Sequence, residues 1–303
     1  MIILGAGLSG LICGALNAQA HIHEQNRSDV VSHKAVLRFR DDKIARALGL
    51  SFRRVTVRKA IWSNAEEAAP TPRLANQYSL KVRGIIGDAS IWNMATTERF
   101  IAPEDLHAVL ADLCGDRVHW NSVVTTTILN ELIEQGPIIS TIPIPNLLST
   151  LDIAEPFAFR YAPIFVDRYH VSDCDVFQTV YYPDAQFNVY RATLTGKLLT
   201  IESVAPIVDD ETDEVIYSLG IDSRVEVEPV GANHRQSFGK ISPVDPGLRK
   251  ALLHRLTERY GIYSLGRFAT WRNILLDDVF EDIAAIRRMM THTQYDMALE
   301  RSK

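Results

Sequence analysis

Three glycines near the start of the chain have types and spacing that suit chemistry at a pyrophosphate. Gly5, Gly7 and Gly10 form a Gly-x-Gly-x-x-Gly directly after the apolar run Met1-Ile2-Ile3-Leu4. Gly5 permits a tight turn out of a strand, Gly7 lets backbone approach phosphate, and Gly10 lets the next helix pack close to that strand. The free N–H groups and positive dipole end of the helix then face the phosphates. Glu24 follows Gly5 by 19 residues, where an acid accepts hydrogen bonds from ribose hydroxyls. An acid there favours a free 2′-hydroxyl, as in FAD or NAD, over the 2′-phosphate of NADP. The expected contacts at this end are Gly5, Ala6, Gly7, Leu8, Ser9, Gly10, Glu24 and Gln25.

Those residues need a strand, a helix to about Asn17, and a second strand over Ala20-His21-Ile22-His23-Glu24. The later pattern continues the scaffold. Asp41 or Asp42 caps a helix through Leu48, stopped by Gly49. Residues 52–62 alternate as a strand with Val55, Val57 and Ile61 on one face. Residues 63–76 read as a loop and Gln77–Arg83 as another strand before a Gly84/Gly87 turn. Pro103-Glu104-Asp105 starts a helix that ends at Cys114. Arg117–Trp120 and Val123-Val124 read as short strands. Pro137 to Pro145 reads as a buried strand that its prolines terminate.

The middle of the chain is strand-rich, over 157–169, 175–182, 187–194 and 197–203, with turns at Pro183-Asp184 and Thr195-Gly196. Helices are expected over 210–219, from Pro246 to Tyr260 before Gly261, and from Asp277/Asp278 to about Met290, with a frayed tail from Thr291. Ile262–Leu265 is a short strand. There is no internal repeat. The expected organisation is α/β: a discontinuous Rossmann-like dinucleotide domain (1–50, 103–150 and 235–303) with an inserted antiparallel-sheet substrate domain (51–102 and 151–234).

Composition excludes the extremes. The 303 residues are 47% hydrophobic and 23% charged with net charge −5, ordinary for a globular chain. No apolar run approaches the roughly 20 residues of a membrane span. The opening apolar run lacks a basic region and carries the glycines, so it reads as strand one and not as a signal peptide. Cys13, Cys114 and Cys174 are scattered, without metal spacing or a Cys-x-x-Cys. An odd count without pattern fits a reducing, cytoplasmic setting. Lys34, Arg38, Arg40, Lys43, Arg46, Arg53, Arg54, Arg58 and Lys59 make a basic block. It reads as a solvated face or as a groove for an anion: the cofactor pyrophosphate, with Arg38 as the contact, a nucleotide-linked substrate, or nucleic acid.

A second signature lies at residues 264–279, Ser264-Leu265-Gly266-Arg267-Phe268-Ala269-Thr270-Trp271-Arg272-Asn273-Ile274-Leu275-Leu276-Asp277-Asp278-Val279. It resembles the C-terminal flavin motif of the flavin amine oxidase/protoporphyrinogen oxidase superfamily, and Gly266 to Arg272 is most similar to the UDP-galactopyranose mutases. Ile139-Ser140-Thr141-Ile142-Pro143 resembles the family strand that returns to the cofactor. Tyr181-Tyr182-Pro183 with Tyr190-Arg191 resembles its substrate-domain strands, and Gly239–Val244 sits where the family has a Gly-containing strand leading to the last domain crossing. The resemblance implies a GR2-type flavoprotein with FAD as cofactor. It also implies that Arg267 contacts pyrophosphate or flavin, that Val123 or Val124 packs on adenine, and that Gly266, Trp271, Thr141 and the backbone at Asp278-Val279 lie along the flavin.

FAD carries redox chemistry while protein groups place the substrate. The implied reaction is oxidation of a C–N bond in an amine or amino-acid-like substrate, free or on a nucleotide or modified base, by hydride transfer to flavin. Amine-oxidising members hold a lysine near the flavin, for which Lys240 is the first candidate and Lys81 the second. Tyr181, Tyr182, Tyr190 and Arg191 suit planar or anionic groups on the substrate side. The alternatives are a redox-neutral mutase-like flavoenzyme and a flavoprotein that mainly binds nucleic acid. His21, His23 and His107 read as structural.

Overall fold

Ile2–Leu4 (β1) is apolar on both faces, as a strand in the middle of a parallel sheet must be. A computed structural model describing residues 1–28, 36–87 and 91–301 places it there. The chain continues through α1 (Leu8–Ala15), β2 (His21–His23), β3 (Arg38–Phe39), α2 (Lys43–Leu48), β4 (Arg53–Ser63) and β5 (Glu66–Ala68). Next come α3 (Pro72–Arg83), β6 (Thr97–Ile101), α4 (Leu106–Cys114), β7 (Val118–His119), α5 (Thr126–Gln135), β8 (Ile138–Ser140) and α6 (Ile144–Thr150). The second half holds β9 (Tyr161–Val171), β10 (Phe177–Tyr181), β11 (Val189–Thr195), β12 (Leu198–Ser203), α7 (Asp209–Ser218), β13 (Val227–Pro229) and β14 (His234–Ile241). It closes with α8 (Pro246–Tyr260), β15 (Ile262–Ser264) and α9 (Leu276–Arg301).

Two sheets result. Five parallel strands run in the order β15-β8-β1-β2-β7. Ile3 packs into a core with α1, α4 and the first turns of α9. Ile2 and Leu4, on the opposite face, pack against α5, α6 and α8. Helices on both faces explain why the three residues carry no polar side chain. The larger sheet has ten strands along β13-β9-β12-β11-β10-β4-β6-β3, with β14 on β9 and β5 on β4. Its β9–β12 stretch is antiparallel, joined by the expected hairpin turns, and Gly196 takes φ +57° between β11 and β12.

Several elements differ from the sequence reading. Residues 77–83 are not a strand but the end of α3. Pro72 stands in its first turn, Thr71 Oγ1 accepts from Leu74 N at 3.2 Å, and Gly84 at φ +71° ends it. Leu74, Ala75 and Tyr78 give it a buried face at helical spacing. Val123-Val124 is not a strand but leads into α5, which Thr125 caps. The strand ending at Pro143 is short, because Pro145 starts α6. Helix α9 continues through Arg301 where fraying was expected. Strands β3 and β14 join the larger sheet, so boundaries at 50 and 235 cut through its connections. No helix among the described residues is long and apolar enough to cross a membrane.

Candidate functional site

The three N-terminal glycines divide by what packing demands of them. Gly5 has φ +97°, and a Cβ there would meet Thr141 Oγ1 at 2.4 Å. A Cβ on Gly10 would lie 1.9 Å from the Gly5 carbonyl oxygen, so helix–strand approach requires glycine. A Cβ on Gly7 would meet nothing within 4 Å. The protein's own packing does not require Gly7, and its bare backbone faces a cavity. Ala6 N donates to Glu24 Oε2 at 2.8 Å, and Asn26 N and Nδ2 donate to Glu24 Oε1 at 2.9 and 2.8 Å. The carboxylate is thereby buried and fixed beside the loop.

Two cavities flank this loop. The first, of about 620 Å³, is lined by Gly5, Glu24, Gln25, Val124 and Thr141. The second, of about 390 Å³, is lined by Gly7, Leu8, Ser9, Gly266, Arg267 and Val279. Thr141 lines both, with its hydroxyl donated to the Leu4 carbonyl at 2.8 Å. The strand ends of the parallel sheet therefore open on two cavities that share Thr141 in their walls, where open α/β sheets bind ligands.

The far wall comes from the C-terminal segment. Gly266, at φ +91°, sits against Ser9, whose Oγ a Cβ would meet at 2.7 Å. Arg267 Nη2 donates to the Gly239 carbonyl at 3.3 Å. Its buried Nε has no partner among the described residues, and burial pushes its pKa down. Ile274, Leu275, Leu276 and Val279 bring the N-terminus of α9 to the second cavity. Its first turn forms the positive dipole end, where the N–H groups of Asp278 and Val279 reach the Leu275 carbonyl at 3.1 and 3.3 Å. Asp278 turns inward on that terminus, accepting from Leu275 N at 2.8 Å.

The remaining wall is charged. The ladder between β11 and β12 shifts register between Val189 and Arg191. Such a bulge re-aims side chains, and both Tyr190 and Arg191 reach Glu202. Tyr190 Oη donates to Glu202 Oε1 at 2.9 Å, Arg191 Nη2 donates to the same oxygen at 2.7 Å, and Arg191 Nε donates to Oε2. Burial pushes the Glu202 pKa up, and the Arg191 cation more than reverses this. Arg191 is raised by the same pair against its own burial. Lys240, on β14, lies with Nζ 4.1 Å from the centre of the Tyr190 ring. Burial first, then the Arg191 cation, lowers its pKa to about 7. Arg191, Glu202 and Lys240 all line the second cavity.

The structure therefore gathers Gly7, Leu8, Ser9, Gly266, Arg267, Val279, Lys240 and Arg191 around one cavity, and Gly5, Glu24, Gln25, Val124 and Thr141 around the other. It corrects three expectations and keeps Arg38 at the cavity wall. Tyr182 is not at the cavity: it is 1% exposed in the core against α7, with its hydroxyl 2.6 Å from Ser218 Oγ. Trp271 is a core residue too, donating Nε1 to the Ser242 carbonyl at 3.1 Å and packing on Phe159 and Phe238. Arg38 lines the second cavity with its Nη atoms held by Thr179 Oγ1 at 2.8 Å, the Leu194 carbonyl at 2.6 Å and Thr195 Oγ1 at 2.9 Å, while its buried Nε has no partner among the described residues. Lys81 donates to the carbonyls of Tyr182, Asp184 and Val189 at 2.6–2.9 Å and is structural.

The basic block is largely neutralised within the fold. Arg40 pairs with Asp277 and Asp278, Lys43 with Glu281, Arg46 with Asp42, Arg53 with Asp175, and Arg54 with Glu98. Lys34 lies outside the described residues. Glu202 was missed in the sequence, although an acid between Ile201 and Ser203 in an apolar strand was a visible signal.

No protein-family model and no curated protein matches the sequence. Solved structures share the fold. One is a reduced UDP-galactopyranose mutase, 15% identical, with TM-score 0.62 over 89% of this chain and 90% of that one. The flavin-dependent monooxygenase PieE, solved with FAD and substrate, is 13% identical with TM-score 0.52, over 88% of this chain and 52% of its own. A geranylgeranyl bacteriochlorophyll reductase-like protein from Thermoplasma acidophilum is 13% identical with TM-score 0.51, over 99% and 83%. The mixed α/β architecture is that of this flavoprotein fold.

Proposed function

We propose that the chain is an FAD-dependent oxidoreductase that oxidises the C–N bond of an amine or amino-acid-like substrate, in the manner of the flavin amine oxidases. The observation that carries the reading is the pair of cavities that meet at Thr141, with Glu24 in one and the N-terminus of α9 at the other, which this reading joins as one dinucleotide channel. Its features fit FAD. Gly7 leaves backbone open to a pyrophosphate, and Arg267 Nε is a buried donor without a protein partner. Glu24 and Gln25 would take the ribose and Val124 the adenine. Gly266, Arg267 and the N–H groups before Val279 would lie along the flavin. The parallel sheet would then be the cofactor part and the larger sheet the substrate part.

When bound, FAD supplies the acceptor for the hydride that leaves the carbon next to nitrogen. Lys240 and Arg191 act on the substrate. Neutral Lys240 Nζ accepts the proton of a substrate ammonium and frees the nitrogen lone pair. Arg191 is fixed by Glu202 through Nε and Nη2, so Nη1 is left to orient an anionic substrate group. The absorbance spectrum of the purified chain tests the cofactor: peaks are expected near 370 and 450 nm (about those values). A chain that shows none, even after incubation with FAD, is not a flavoprotein. Peroxide formed from an amine panel tests the reaction, and a loaded protein that oxidises no amine excludes it.

Similarity to the mutase over nearly the whole of both chains favours one second reading, a redox-neutral mutase-like flavoenzyme. Turnover of UDP-galactofuranose by dithionite-reduced protein, without net oxidation, would select it over amine oxidation.

A further inference from the structure

A third cavity, of about 430 Å³, lies beside the second. Val36 and Leu37 line both it and the second cavity, and Thr195, which accepts from Arg38, lines it as well. Arg38 lines only the second cavity, so the two spaces share the walls Val36 and Leu37 and differ in the rest of their lining. The body of the third cavity is apolar, with Ile101, Phe177 and Leu198 among its walls. Its volume suits a small organic molecule.

The charges that face it are unequal. Arg53 is neutralised by Asp175 at 2.9 Å, and its guanidinium lies over the Phe177 ring at 4.8 Å. Glu104 is exposed at the rim. Arg168 and Lys197 remain as cations. Arg168 Nε is buried and has no hydrogen-bond partner among the described residues. A buried donor left unpaired is costly, and an acceptor in this cavity would satisfy it.

We propose that the third cavity is a binding site for a small amphipathic anion, whose apolar body rests on Phe177, Ile101 and Leu198 and whose anionic group pairs with Arg168 and Lys197. The site is separate from the dinucleotide channel and does not depend on the flavin reading. Its ligand class is a flat or aliphatic carboxylate, or a sulfonate of the same shape.

Calorimetric titration of the full chain with anilinonaphthalene sulfonate and with its neutral relative N-phenylnaphthylamine tests this, with and without added FAD. The sulfonate is expected to bind more tightly than the neutral amine and to stay bound when FAD is added. The double variant R168Q/K197Q is expected to weaken the sulfonate about tenfold and to leave the neutral amine unchanged. Displacement of the sulfonate by FAD would put it in the channel and overturn the proposal. Unchanged sulfonate affinity in the double variant, or equal weakening of both dyes, would overturn it too. If the double variant fails to fold, Lys197→Gln alone, in the exposed β11–β12 turn, must still weaken the sulfonate selectively.

Discussion

Two buried lysines differ in what surrounds them: one is held by the fold, and the other opens on a cavity. Lys81 and Lys240 both lie between the larger sheet and its surroundings, and burial lowers both to about 7. Around Lys81 every ammonium proton meets a carbonyl, from Tyr182, Asp184 and Val189. Around Lys240 there is an aromatic face, a cation at Arg191 and a cavity. Desolvation is common to both and marks neither as functional. The partners decide: a donor set that is already satisfied is structural, and one that opens on a space is available for chemistry.

The comparison breaks most visibly in activity. Lys240→Met should lower amine oxidation by about 10²–10⁴-fold while the bound-flavin spectrum stays in place. Equal activity in the variant would remove Lys240 from the mechanism. Lys81→Met should do the reverse. Three buried carbonyls lose their donor, and urea unfolding should show a loss of about 3 kcal/mol, with activity per bound flavin retained.

The glycines extend the contrast between packing and binding. Gly10→Ala forces a Cβ against the Gly5 carbonyl and should cost several kcal/mol in denaturant titration (about 3). Gly7→Ala meets no protein atom and should change stability by less than about 0.5 kcal/mol, while weakening FAD in a fluorescence titration. A stable Gly10→Ala protein would contradict the packing read here.

The pH dependence follows from Lys240. Its folded value of about 7 lies below the ordinary 10.5, so the unfolded chain binds the extra proton between those values. Stability should therefore rise with pH across that window, and Lys240→Met should flatten the rise. Oxidation should increase with pH through about 7, as Nζ becomes neutral, and kcat/KM profiles check it. A modest effect, on stability alone, is expected at Trp271. Trp271→Phe loses one hydrogen bond to Ser242, about 1 kcal/mol by thermal unfolding, and leaves FAD affinity unchanged.

Legibility in the sequence followed the range of the interactions. The loop from Gly5 to Gly10 and the acid at Glu24 could be read directly, because their roles are set within one strand–helix–strand unit. The hairpins from β9 to β12 were readable for the same reason, from alternation and turn residues. Helix α3 was misread because Gln77–Arg83 alone looks extended, and only Thr71, Pro72 and Gly84 together frame it as a helix. The β11 bulge that brings Tyr190 and Arg191 to Glu202 was hidden, since a one-residue register shift leaves no mark in residue types. Trp271 and Tyr182 look like contacts in one dimension, and become core once β14 and α7 are laid against them.

The placement of β1 has a consequence for how the molecule is made. Its three residues pair with β2 within some 20 positions, but their other neighbour, β8, begins at Ile138 and is itself flanked by β15 at Ile262. During synthesis this apolar strand leaves the ribosome long before the partner that covers its second edge. Folding of the parallel sheet must await contacts of high sequence separation, which slows it and leaves a sticky intermediate for chaperones to guard.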